Sequence, residues 1–412
     1  MKVRSLPAVV ARSQTAARLG VLLLTLGSNV SALAEGQQDL QMSASATLVR
    51  ESNLFRLPPG VDAMALVGRP SPSATVGTGT LGLEFNRAFS MQRVEFEASL
   101  SAHRYQNFGY LDFMASNYRG LWRWAYTPLL TGNLSSSRTQ QLNSFAEYQG
   151  FKQRNERIDS QTRLDLGYAL DARWRLLSGL TRSTRSNMLP LAQEADYRLA
   201  AFDAGARYLL ASGSSATYSL KTTSGSYFNR ALSSSALYDD GFRQTDHAMQ
   251  LDWAISRATT ADFSAGYRQR SHPHYQQRDF GGTVAGAHLR WAASAKTLLT
   301  AGWTRELGTF ETSTSNYVQS EQLSTAAAWQ LSTNATLRLQ LEKTRRDYLG
   351  LIGTPVSIRR KDHDREASVS LDWQPLKPMT MNAALREIRR QSNPQSLGYT
   401  SSAISLQAQW GF

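Results

Sequence analysis

The chain predicts an all-β fold: a transmembrane, antiparallel, up-and-down β-barrel of about eighteen strands. Three observations predict it. The last residues alternate apolar and polar side chains up to the C-terminus. Amphipathic hairpins of the same alternation recur roughly every 40 residues, a period that calls for a repeat architecture. Aromatic side chains return beside the short turns of those hairpins.

The C-terminal stretch is the clearest strand. Ile404, Leu406, Ala408, Trp410 and Phe412 alternate with Ser405, Gln407, Gln409 and Gly411. A period of two puts one set on each face of a strand. No turn follows, and the strand ends on an aromatic carboxyl terminus. This resembles the C-terminal insertion signal of Gram-negative outer-membrane barrels, which the barrel-assembly machinery reads. Trp410 and Phe412 are the residues that carry it.

The N-terminus reads as an export signal. Lys2, Arg4, Arg12 and Arg18 precede the apolar run Leu19–Leu26, and small residues follow, ending Ala32-Leu33-Ala34. Charged region, short apolar core and A-x-A site make a cleavable signal peptide over residues 1–34. The run is too short for a transmembrane helix. The barrel is expected over 35–412, with its first strand near Leu40–Glu51. The five residues between the cleavage site and that strand leave no room for a plug domain.

Composition agrees. No other apolar run approaches a spanning helix. Trp, Tyr and Phe number 9, 16 and 15, and Ser, Thr, Gly and Gln are abundant, as expected where half of every strand faces water. The chain has no cysteine, which excludes disulfides, thiolate metal sites and cysteine nucleophiles. Of the formal charge of +13, four units belong to the leader, which has no acid; +9 remains on residues 35–412. Export argues against nucleic acid as the anionic partner. Lipopolysaccharide or an acidic polymer in a channel fits better.

Tight turns are expected near Ser90, Thr127, Asp171, Gly213, Ala258, Lys296, Thr333 and Lys377. Longer polar loops are expected at 53–72, 107–110, 142–154, 187–194, 229–240, 273–279, 312–317, 350–361 and 393–398. Short turns alternating with longer loops is the outer-membrane pattern, turns in the periplasm and loops outside. Met249, Leu251 and Trp253 alternate with Gln250, Asp252 and Ala254; Leu337, Leu339 and Leu341 alternate with Arg338, Gln340 and Glu342. Trp122, Trp124, Tyr126, Trp174, Tyr208, Trp253, Trp291, Trp329, Trp373 and Trp410 would form the periplasmic aromatic girdle. An eighteen-stranded barrel is wide enough for an aqueous lumen, and the longest loop, 53–72, is the candidate to fold inward as a constriction.

The inward polar rows carry Arg119, Arg123, Arg163, Arg175, Arg207, Arg268, Arg290, Arg338 and Arg386, with Glu95, Glu97, Asp165, Asp203, Asp252, Asp262, Glu342 and Asp372. These arginines are the pore-lining candidates. Charge rings that select solute are the functional reading; a solvated wall paired across strands is the alternative. Arg359-Arg360-Lys361 is a basic run in a predicted outer loop, a candidate lipopolysaccharide or polymer contact. The six histidines are scattered. His272-Pro-His274 has metal-like spacing but no nearby ligand set. No Gly-rich phosphate motif and no Gly-x-Ser-x-Gly elbow appears. No catalytic residue, metal or cofactor is expected.

Two stretches carry a narrower resemblance: Val49-Arg-Glu-Ser-Asn-Leu-Phe-Arg-Leu-Pro-Pro-Gly60, and Leu111-Asp-Phe113 followed by Tyr118-Arg-Gly-Leu-Trp-Arg-Trp124, Gly132-Asn-Leu134 and Arg154-Asn-Glu-Arg157. Together they resemble the EpsL family, outer-membrane proteins encoded with exopolysaccharide biosynthesis genes in Gram-negative bacteria with exosortase systems. Ser52 stands where the family has Asp. The resemblance implies a role in exopolysaccharide export, with periplasmic or inner-membrane biosynthesis proteins as partners; it brings no catalytic residues. The leading expectation is therefore an outer-membrane exopolysaccharide channel. The alternative is a general diffusion porin for small, anionic solutes, and a barrel enzyme ranks third.

Overall fold

In the computed structural model, which describes residues 39–147, 149, 152–312, 315–350 and 359–412, eighteen strands form one sheet that closes on itself. The expected leader, 1–34, lies outside the described residues. In chain order the strands are β1 (Leu40–Glu51), β2 (Ala74–Phe89), β3 (Gln92–Tyr105), β4 (Phe113–Ala125), β5 (Leu130–Leu142) and β6 (Glu156–Ala169). Then come β7 (Trp174–Asn187), β8 (Tyr197–Leu209), β9 (Ser215–Ser226), β10 (Gly241–Ala254), β11 (Thr259–Ser271) and β12 (Phe280–Ser294). The last six are β13 (Thr297–Thr309), β14 (Tyr317–Ser332), β15 (Ala335–Leu349), β16 (Lys361–Leu376), β17 (Met379–Ser392) and β18 (Tyr399–Gly411). Each strand pairs antiparallel with its neighbours in sequence, and β18 pairs with β1 to close the ring. No helix among the described residues is long and apolar enough to cross a membrane; the crossing elements are strands.

Closure follows from the alternation. Trp122, Leu134, Leu164, Leu180 and Phe202 lie directly opposite one another across β4 to β8. They form one apolar row on the outer face. The rows between them are polar and face the lumen. A sheet with an apolar exterior cannot leave an unpaired edge in lipid, because nothing there would satisfy its N–H and C=O groups. The seam is complete: Ala44 opposes Trp410 and Leu48 opposes Leu406. Met42 and Phe412 exchange backbone hydrogen bonds of 2.9 and 3.0 Å.

All eight tight turns fall where the sequence places them. Two residues, Ser90 and Met91, join β2 to β3, and Ser90 takes φ +54°, as a two-residue hairpin turn requires. In the turn before β7, the Asp171 carboxylate accepts from the N–H groups of Arg173 and Trp174 at 2.7 Å. That holds its carboxyl below the usual range.

The larger buried apolar cluster belongs mainly to the loops, not to a layer between sheets. Phe55 and Leu57 of the β1–β2 loop pack with Phe108 and Leu111 of the β3–β4 loop and Phe145 of the β5–β6 loop. The Phe55 ring centre is 4.8 Å from those of both Phe108 and Phe145. A short helix, α1 (Ala63–Val67), lies in the β1–β2 loop, capped by the Asp62 side chain and ended by Gly68 at φ +72°. The long β1–β2 loop thus supplies a platform. The loop that reaches across the lumen is the next large one, between β5 and β6.

Candidate functional site

The β5–β6 loop leaves the wall at Asn143 and is held inward by Phe145 on Phe55. Its Glu147 carboxylate accepts from Arg360 at 2.9 and 3.3 Å and from Arg390 at 2.7 Å. Arg390 is on β17 and Arg360 immediately precedes β16. Counting round the ring through β1, β17 is six strands from β5, and β16 is eight from β6. The contact therefore spans the lumen instead of following the wall. Gln149 adds a bond of 3.4 Å to the Leu397 carbonyl on the same far side.

The far wall is a ladder of paired charges. Asp364 accepts from Arg390 at 3.0 Å and also from Arg346. Asp362 is fully buried and accepts from Arg360 at 2.6 Å, Tyr348 Oη at 2.9 Å and Ser392 Oγ at 2.6 Å. Burial works against the Arg360 charge, but Glu147, then Tyr348 and Asp362, more than offset it and keep the guanidinium above its usual range. On the near wall Asp159 sits between Arg157 at 2.8 Å and Arg185 at 2.6 Å. Arg157 and Arg185 on one side and Arg346, Tyr348, Asp364 and Arg390 on the other, with Phe145 and Glu147, line a cavity of about 400 Å³. Nearly every arginine at this level has a carboxylate partner, so the constriction is polar but close to charge-balanced.

Of the nine arginines proposed from sequence, Arg386 lines this cavity and Arg268 lies near the loop end of β11; the strand registers put all nine on the lumen face. Five are paired. Arg123 meets Glu95 at 2.7 Å, Arg163 meets Asp165 at 2.6 Å and Asp203 at 2.8 Å, and Arg268 meets Asp246 at 2.5 Å. Arg338 meets Asp372 at 2.6 Å, and Arg386 holds Glu366 through two bonds of 2.7 and 2.9 Å. Arg119, Arg175, Arg207 and Arg290 form no ion pair among the described residues. Arg175 and Arg207 are directly opposite each other, two like charges on neighbouring strands with only Thr217 as a 3.0 Å acceptor for Arg207.

Sequence reasoning missed Arg157, Arg185, Arg346 and Arg390, and it missed Glu147. The four arginines continue the same inward alternation past the point where it was followed: Arg338, Gln340, Glu342, Thr344 and Arg346 are one face of β15. Glu147 lies in a loop, where no periodicity marks it. The Arg359-Arg360-Lys361 reading needs correction. Arg360 turns inward to Glu147 and Asp362, because those buried carboxylates need a cation; only Arg359 and Lys361 remain at the outer rim.

The two loop histidines do not converge. His272 is buried, with Nδ1 3.3 Å from Asp279 and Nε2 3.7 Å from Glu311. His274 instead meets Asp239 at 3.1 Å and Asp240 at 3.8 Å. The donor atoms of Asp239, Asp240 and His274 lie within 4.8 Å of one another. Asp239 is already satisfied, however. Its oxygens accept from the N–H groups of Gly241, His274 and Tyr275 and face the His274 ring. Burial opposes its ionisation, but these donors hold its carboxyl below the usual range, and the hydrogen bond to Asp239 raises His274 above its own. The trio acts as a clasp between the β9–β10 and β11–β12 loops.

A closed eighteen-stranded antiparallel barrel, apolar outside, polar inside and narrowed by an inward loop, is an outer-membrane barrel of the porin type. Comparisons agree at that level. Residues 248–411 match the family described as "Putative beta-barrel porin 2". The fold is similar to Pseudomonas aeruginosa OccK1 (OpdK), with a TM-score of 0.52, 9% identity and coverage of 91% of this chain and 99% of that one. It is also similar to Pseudomonas aeruginosa OccK9 (OpdG), with a TM-score of 0.51, 11% identity and coverage of 90% and 98%. No curated protein sequence matches. The chain is therefore placed in the outer membrane of a Gram-negative cell.

Proposed function

We propose that the protein is a porin-type channel that passes small solutes, with a preference for anions, through a lumen narrowed by the β5–β6 loop. The observation that carries this reading is the Glu147 bridge to Arg360 and Arg390. It leaves a cavity of about 400 Å³, within the roughly 300–1,000 Å³ typical of small-molecule sites. The anion preference rests on Arg119, Arg175, Arg207 and Arg290, which face the lumen and form no ion pair among the described residues, although Arg119 lies opposite Glu97, and on the +9 charge of residues 35–412. A polysaccharide chain would have to displace the docked loop. The EpsL-type role in exopolysaccharide export is supported by the sequence resemblance alone, so the small-solute reading is preferred. The test is conductance of the purified protein in planar bilayers. Small-ion conductance that soluble polysaccharide leaves unchanged is expected. Block by an acidic exopolysaccharide would restore the export reading, and absence of conductance in both the wild type and Glu147→Gln would refute a channel.

A further inference from the structure

The outer face carries charge in rows at one place. Lys343, Arg365 and Arg389 lie directly opposite one another on β15, β16 and β17. One row nearer the loops, Arg345 opposes His363, and beyond it Lys361 opposes Asp347. The side chains of Lys343, Arg345, Lys361, His363, Arg365 and Arg389 are all exposed. Toward the turns, the next row is Leu341, Ala367 and Glu387, and the one after is Leu339, Val369 and Leu385. The cations begin where the lipid-facing apolar belt ends.

Like charges directly opposite on neighbouring strands, with Cβ atoms about 4.5–5.5 Å apart, destabilise a sheet unless an anion lies between them. On their inner face the same strands supply that anion: Asp364 for Arg346 and Arg390, Glu366 for Arg386, Asp372 for Arg338. On the outer face Asp347 meets Arg345 at 3.2 Å. The other outward acids nearby are Glu321, opposite Arg345, and Glu387, opposite Ala367. Lys343, Arg365 and Arg389 form no ion pair among the described residues. The sequence balances the lumen side of these strands and leaves the outer side cationic.

We propose that Lys343, Arg365 and Arg389, flanked by Arg345, bind the phosphates of a phosphorylated glycolipid of the outer leaflet, of the lipid A type. Loops of such barrels face outward, so the row lies at the level of the outer headgroups. The acyl chains would run down Leu339, Val369 and Leu385. Arginine forks suit phosphate because they present paired N–H donors. This site does not depend on what the lumen conducts.

The test compares lipid A with lipid A stripped of both phosphates, binding to the full chain in phosphatidylcholine nanodiscs. The wild type should prefer the phosphorylated lipid. Combined Lys343→Gln, Arg365→Gln and Arg389→Gln should weaken that binding by roughly a hundredfold, at about a factor of five per cation near an anionic surface. Equal binding of the two lipids by the wild type would overturn the proposal, and this comparison decides even if the triple variant fails to fold. A folded triple variant that keeps wild-type affinity would also overturn it. So would displacement of lipid A by inorganic phosphate or a soluble acidic polysaccharide at equal concentration, since the surface would then take any anion.

Discussion

Glu147 and Arg390 stand 2.7 Å apart although their strands are six positions distant round the barrel. Arg390 is buried and Glu147 is partly so, at 5% and 13% side-chain exposure. Glu147 is the carboxylate that ties both arginines to the loop, whereas Asp362 and Asp364 hold Arg360 and Arg390 on the wall without it. Glu147→Gln should therefore release the loop from the far wall. Single-channel conductance should rise and the β5–β6 loop should become sensitive to protease added outside. Unchanged conductance and protection would mean that Phe145 on Phe55 holds the loop alone.

The outer and inner faces of β15 give a second prediction. Leu339 is 49% exposed on the outer face, which is the lipid face, and Gln340 follows on the lumen face. Leu339→Arg should destabilise the folded barrel by about 2–4 kcal/mol near the midplane; Gln340→Arg should be nearly neutral. Denaturant unfolding from lipid vesicles measures both. The opposite order would invert the assignment of faces, since adjacent residues always take opposite sides.

The seam gives a third. β18 is held on one side by β17 and on the other by β1, with Trp410 opposite Ala44 and the Met42–Phe412 bonds at its end. Deleting Trp410 to Phe412 removes the turn-end pairing of the closing strand as well as the aromatic terminus. The shortened chain should be absent from the outer-membrane fraction and lack heat-modifiable mobility on gels. Normal mobility would show that neither the seam end nor the terminal aromatic is needed.

The strands were legible because lipid and water impose a period of two along every one of them. That period predicts β1 at Leu40–Glu51, the eight turns, the eighteen-strand count and the face of each of the nine arginines. The loops carry no such constraint. Their conformation is set by contacts such as Phe145 on Phe55 and Glu147 on Arg390, between residues far apart in sequence. That is why the inward β5–β6 loop and the inward turn of Arg360 became visible only with the chain folded. Pairing is the other hidden quantity: alternation shows that Arg268 and Arg290 share the lumen, but not that Asp246 neutralises only the first.

The clasp between Asp239 and His274 should respond to pH. The folded pKa of His274 is raised above its ordinary 6.5. Its contribution is full below the unfolded value and is lost as pH rises through the folded one. The Asp239 pKa is lowered from 3.8, so its contribution is present above the unfolded value and lost as pH falls through the folded one. The clasp should be tightest between about pH 4 and pH 6.5. Protection of the amides in residues 229–240, taken relative to their intrinsic exchange rate at each pH, should be greatest there and fall toward alkaline pH. His274→Gln should remove the alkaline change and leave the acid limb, which belongs to Asp239. An alkaline limb that survives His274→Gln would assign it to another group.

The unpaired arginines give the last prediction. Arg163, Arg268, Arg338 and Arg386 each hold a carboxylate, so their fields are largely cancelled a few ångströms away. Arg119, Arg175, Arg207 and Arg290 form no ion pair among the described residues, and Arg175 and Arg207 reinforce each other across β7 and β8. If the lumen conducts, these four set its sign. The wild type should be weakly anion-selective at low salt, and selectivity should fade toward 1 M, where the screening length shrinks to about 3 Å. Replacing the four with Gln should bring the reversal potential close to that of a neutral pore. Replacing Arg268 and Arg338 with Gln removes two cations but frees Asp246 and Asp372, so it should push selectivity toward cations. The quadruple variant removes four unbalanced cations and the double variant frees two carboxylates, so the first should shift the reversal potential about twice as far and only the first should reach neutrality. A shift in the double variant as large as that in the quadruple one would show that the four unpaired arginines do not set the sign of the lumen.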